Sequence, residues 1–128
     1  MREILFRGKR VDNGEWVYGS LVNAGVCMII PQNAEHWGGA EFNIGYIVDP
    51  ETVGQYTGLA DKNGKKIFEG DIAEFDNSQF VVEYFESRMG FGFAGLKGRG
   101  VVSGFTMMDW EHLKIIGNIH DNPELCTG

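Results

Sequence analysis

The run that comes nearest to a chemical signature is Gly90-Phe91-Gly92-Phe93-Ala94-Gly95, which spells G-x-G-x-x-G. Dinucleotide binding needs that run to follow a strand and open a helix, so that pyrophosphate meets the helix N-terminus. Lys97, Gly98, Arg99 and Gly100 come next and make a poor helix start, so the match is read as coincidence in a glycine-rich loop. Asp61-Lys62-Asn63-Gly64 begins like a calcium loop, but Lys66 and Ile72 stand where an EF-hand needs glycine and glutamate. Gly64-Lys65-Lys66 lacks the Ser or Thr that follows a P-loop lysine. No G-x-S-x-G elbow surrounds Ser20, Ser78, Ser87 or Ser103. His36, His112 and His120 have no ligand spacing, and Glu111, His112, His120 and Asp121 would meet only if the last strand folded back. Cys27 and Cys126 lie far apart without C-x-x-C spacing, which makes neither a zinc site nor a disulfide framework. No catalytic, cofactor or metal residue emerges. The expectation is a protein that is not an enzyme.

One stretch keeps a binding chemistry. From Arg88 to Gly100 there is no acid, and Arg88, Lys97 and Arg99 alternate with Phe91 and Phe93, with Phe105 beyond. Such a loop would stack bases on its rings and hold phosphates with its cations. The competing reading packs the phenylalanines into the core or against a neighbouring subunit. A net charge of −7 weighs against attraction to nucleic acid or an anionic membrane. The charge is uneven: Val11 to Asp61 holds seven acids and no Lys or Arg, whereas ten of the eleven bases cluster at 2–10, 62–66 and 88–99. Ordinary surface patterning explains this, and so would one acidic and one basic face.

The elements that would position these residues are short strands. At 128 residues, 43% hydrophobic, with nine Phe, four Tyr and three Trp, the chain supports one domain with a real core. Its 19 glycines are scattered without a period, which suits many tight turns. Strands are expected at 3–6, 16–22, 26–30, 44–48, 52–57, 66–68, 71–75, 80–85 and 114–119, with Asn13-Gly14 and Asn63-Gly64 in hairpin turns. A loop is expected at 33–41, a loop or loosely paired hairpin at 90–104, and a helical turn or two at 107–113. Asp61 to Gly64 should be exposed. Trp16, Phe68, Ile72, Phe75, Val82, Phe85, Ile115 and Ile119 should be buried. The spacing predicts an all-β barrel or sandwich with at most two short helices. Residues 13–21 echo 63–72 with one insertion, so two β halves meeting near residue 60 stand beside a single domain over 1–128. The charged N-terminus lacks a signal peptide's apolar run, and Val26 to Ile30 is too short to span a bilayer, so the expected address is the cytoplasm.

Three segments carry a family resemblance. Phe6-Arg7-Gly8-Lys9-Arg10 with Trp16 and Gly19 resembles the opening of the YopX family of phage and prophage proteins. Thr52 to Leu59, continuing through Asp61 to Ile72, resembles its central signature, and Ile116-Gly117-Asn118-Ile119 with Asn122-Pro123-Glu124-Leu125 its closing segment. The resemblance implies an SH3-type β-barrel of phage or prophage origin, so that the expected cytoplasm is a bacterial host's, with an unassigned biochemical role and no catalytic or ligand residues to carry over. Within Glu69-Gly70-Asp71-Ile72, the aspartate is expected to accept backbone N–H groups rather than catalyse. The leading expectation is an accessory protein that works by protein contact as a homo-oligomer. The alternative is a nucleic-acid-binding barrel that uses Arg88, Phe91, Phe93, Lys97 and Arg99.

Overall fold

Alternating apolar residues and an Asn-Gly turn build the first part of the chain. The computed structural model describes residues 3–31, 45–75, 78–95 and 112–126. The chain divides into two compact units, Met1–Tyr56 and Thr57–Gly128, and the division falls inside a strand. In the first unit, β1 (Phe6–Lys9) turns at Asn13-Gly14 into β2 (Trp16–Asn23), and the turn closes with Arg10 N–H donating to Glu15 O at 2.9 Å. β3 (Cys27–Pro31), β4 (Tyr46–Ile47) and the start of β5 (Gly54–Ala60) complete an antiparallel sheet in the order β4-β3-β2-β1-β5. Asp49 caps a short 3-10 turn at Pro50–Thr52 by accepting the Glu51 N–H, and Pro50 suits the first helical position. Thr52 Oγ1 accepts the Lys9 N–H at 2.9 Å, tying that turn to β1. Among the described residues, the buried aliphatic ones of this unit are Leu5, Ile29 and Val48.

In the second unit, the end of β5 pairs with β6 (Lys66–Phe68). β7 (Asp71–Phe75), β8 (Ser78–Phe85), β9 (Gly90–Gly95) and β10 (Lys114–Asn118) form an antiparallel sheet in the order β10-β7-β8-β9. One face packs Ala73, Phe80, Val82, Phe93 and Ile115 with Ile67 and Leu113. Ile72 and Val81 form a second cluster, against which Ile116, Ile119 and Leu125 pack. The protein is all-β, and its helical pieces among the described residues are single 3-10 turns. The described strands form open ladders and do not close into a barrel.

Packing refines or corrects four expectations. Residues 90–95, expected as a loop or loosely paired hairpin, form a regular hairpin strand paired to β8 from Phe85↔Gly90 to Phe80↔Gly95. The side-chain alternation of that strand aims Phe93 into the core. Of residues 52–57, Thr52 ends the 3-10 turn and Gly54 to Thr57 open β5. Asp61, expected exposed, is only 6% exposed because its carboxylate serves backbone groups of its own turn and of β10. Of the expected core, Phe68, Ile72, Val82 and Ile115 are buried, whereas Trp16, Phe75, Phe85 and Ile119 are half-buried. Trp16 lies beneath the cations of Arg7 and Lys9, 4.7 and 5.6 Å from its ring, on the outer face of β2. The other three sit at or just past strand ends, where packing comes from one side. The loop expected at 33–41 and most of the helical turn expected at 107–113 lie outside the described residues.

Candidate functional site

The ladders of the first unit place a set of apolar residues on one surface. Directly opposed residues in an antiparallel pair share a face, and alternate residues along a strand return to it. The registers Val22↔Met28, Ser20↔Ile30 and Met28↔Ile47 therefore put Val22, Met28, Ile30 and Ile47 on one face with Ser20 and Tyr18. Ile29 and Gly19 point the other way and are buried. Tyr18, Val22, Ile30 and Ile47 are 45%, 36%, 37% and 48% exposed, and they come from three adjacent strands. Arg7 and Lys9, opposite Tyr18 and Trp16, lie on the same side of the sheet against the Trp16 ring, Lys9 half-buried and Arg7 buried. Scattered exposed apolar residues need no explanation, whereas these four lie near one another on one face of the sheet. Sequence reading missed this group because the pairing of β2 with β3 and β4 decides which residues are neighbours.

The acids of the central segment do structural work. Asp71 is buried, and its Oδ2 accepts the Phe68 N–H at 2.8 Å, as expected for the Gly-Asp turn. Gly70 N–H donates to Val82 O at 2.8 Å, and Gly70 O accepts the Ile119 N–H at 3.0 Å, so this turn ties β8 to the end of β10. Asp61 Oδ1 accepts the N–H groups of Asn63 and Lys65, each at 2.9 Å, and Oδ2 accepts the Ile115 N–H at 3.0 Å. Burial pushes the Asp61 carboxyl up, but hydrogen bonds from Ile115, Lys65 and Asn63, with the Lys65 charge, outweigh it and hold its pKa below the usual range. A carboxylate occupied this way has little capacity left for a cation. Among the described residues, no group of three or more His, Cys, Asp or Glu converges to hold a metal ion.

The basic, aromatic loop considered for nucleic acid divides. Phe93 is fully buried and meets Phe80 edge to face, with ring centroids 6.1 Å apart, so it is a core residue and not a stacking platform. Phe91 is half-buried with its ring against Tyr84 at 5.3 Å. Arg88 ends a 3-10 turn, Glu86–Arg88, ahead of β9. Lys97 and Arg99 lie outside the described residues, as does His36, whereas His112 is exposed and His120 half-buried. No helix among the described residues is long and apolar enough to cross a membrane.

Comparison with known families decides the kinship. The family model described as YopX protein matches residues 5–127. The chain belongs to the YopX family. That span takes in all three segments that carried the resemblance, and it covers nearly the whole chain. No curated protein matches the chain. Within this YopX chain, the Gly-Asp turn and the Asp61 turn both lie in the central signature, where the acids hold strand ends together.

Proposed function

We propose that this chain is a phage or prophage accessory protein that works without catalysis, by contact with other copies of itself. The observation that carries the reading is the apolar face of β2, β3 and β4, with Tyr18, Val22, Ile30 and Ile47 exposed side by side. Covering such a face releases ordered water, at roughly 25 cal/mol per Å² of apolar surface removed. A stable interface needs more than about 1,000 Å² in total, so the face must be joined by its surroundings in the assembly. Size-exclusion chromatography with light scattering tests this. The wild type should run as a dimer or larger at high micromolar concentration, and a Val22→Lys/Ile30→Lys variant as a folded monomer. A monomeric wild type, or a variant that assembles equally well, would refute the reading.

A further inference from the structure

Two Asn-Gly pairs stand in turns, Asn13-Gly14 in the first unit and Asn63-Gly64 in the second. An asparagine loses its amide when the nitrogen of the following residue attacks the side-chain carbonyl carbon, and glycine favours this because no Cβ obstructs the approach. The two turns share Asn-Gly and differ in flanking charge, Asp12 and Glu15 against Lys62 and Lys65, and in their hydrogen bonds. Asn13 Oδ1 accepts the Glu15 N–H at 2.9 Å, and the ring closed by that bond contains both reacting atoms, Asn13 Cγ and the Gly14 nitrogen. The donor sits on the oxygen where negative charge would develop, which is where a hydrogen bond lowers the barrier. The Gly14 N–H donates to Arg10 O at 3.0 Å, and the nearby Asp12 carboxylate is neutralised by Arg10 at 2.7 Å. In the second turn the Gly64 N–H donates to Asp61 O at 3.0 Å, and the Asp61 carboxylate collects the N–H groups of Asn63 and Lys65. A fixed carboxylate there opposes both loss of the Gly64 proton and growth of an oxyanion.

We propose that Asn13 is a site of spontaneous self-modification, through a cyclic imide, and that the fold protects Asn63. The Gly14 nitrogen gives its proton to solvent hydroxide and forms a bond to Asn13 Cγ. The Cγ–Nδ2 bond then breaks, and ammonia leaves with a proton from water. Water opens the imide at Cγ to give aspartate, or at the main-chain carbonyl to give isoaspartate, whose backbone carries an extra methylene. Water is consumed and ammonia released, with no change of oxidation state. The product places a new negative charge beside the Arg10–Asp12 pair in the β1–β2 turn. The test is incubation of the intact chain in mildly alkaline buffer, followed by peptide mapping with isoaspartate-specific methylation as a second readout. A parallel sample in concentrated urea supplies the rates of the unfolded chain. Loss of one donor to an oxyanion costs roughly 10²–10³-fold in a dry site, so in this exposed turn Asn13 should react about tenfold faster than Asn63 when folded. In urea the two rates should converge. Equal folded rates, or Asn63 reacting first, would overturn the proposal.

Discussion

The Asp61 carboxylate holds three backbone N–H groups from two separate segments, those of Asn63 and Lys65 in its own turn and that of Ile115 in β10. Replacing it with asparagine keeps the shape but puts an amide donor where one oxygen accepted. Hydrogen bonds to a charged group contribute about 1.5–3 kcal/mol each, so Asp61→Asn should lower stability by about 3 kcal/mol in urea unfolding at neutral pH. The pH dependence has a definite sign. Burial raises the carboxyl's pKa, but the three N–H groups and the Lys65 charge leave it lowered in the folded state. Its contribution is therefore complete above the unfolded value of about 3.9 and is lost as pH falls through the folded one. The wild type should lose stability more steeply than Asp61→Asn as pH drops below about 4. Parallel acid titrations of the two proteins would leave this account without support.

At the scale of the element, β9 and β2 show how a strand's neighbours assign its residues. Phe93 is enclosed by Phe80, Val82 and the rest of that core, whereas Phe91, two residues earlier, keeps one side open. Phe93→Ala should cost about 3–5 kcal/mol, and Phe91→Ala clearly less, by chemical denaturation. In β2 a Cβ at Gly19 would collide with the Ile30 carbonyl oxygen of the neighbouring strand β3. Gly19→Ala should therefore push β3 from β2 and spread the apolar residues of that face. Thermal unfolding and the exchange rates of the β2–β3 amides would register it. Unchanged amide protection at Leu21 and Ile29 would show that the strands do not approach so closely.

For the whole molecule, charge separates the two kinds of partner. Copies carrying −7 each repel at low salt, so self-association through an apolar face should strengthen as salt screens that repulsion. Nucleic-acid binding would go the other way, because each phosphate neutralised by the protein releases counterions and steepens the fall of log affinity with log salt by about one unit. Light scattering and a DNA or RNA titration across a salt series therefore give opposite trends. Assembly that strengthens with salt, together with negligible nucleic-acid binding at physiological salt, is the expected pair. Tight binding weakened by Lys97→Glu/Arg99→Glu would instead favour the basic loop.

Turn chemistry and composition determined the class of this protein. Asn13-Gly14, Asn63-Gly64 and the aromatic, β-branched run Phe80 to Phe85 imply antiparallel strands wherever the chain goes, because those preferences act over a few residues. The role of Asp71 was legible for the same reason, since its partner Phe68 is three residues away. The role of Asp61 was not, because the Ile115 amide that buries it stands 54 residues along the chain. Nor was the fate of Phe93, which depends on pairing Gly90–Gly95 with β8, or the face shared by Val22, Ile30 and Ile47. A one-residue shift in either register would exchange the buried and exposed sets, and only long-range pairing sets that register.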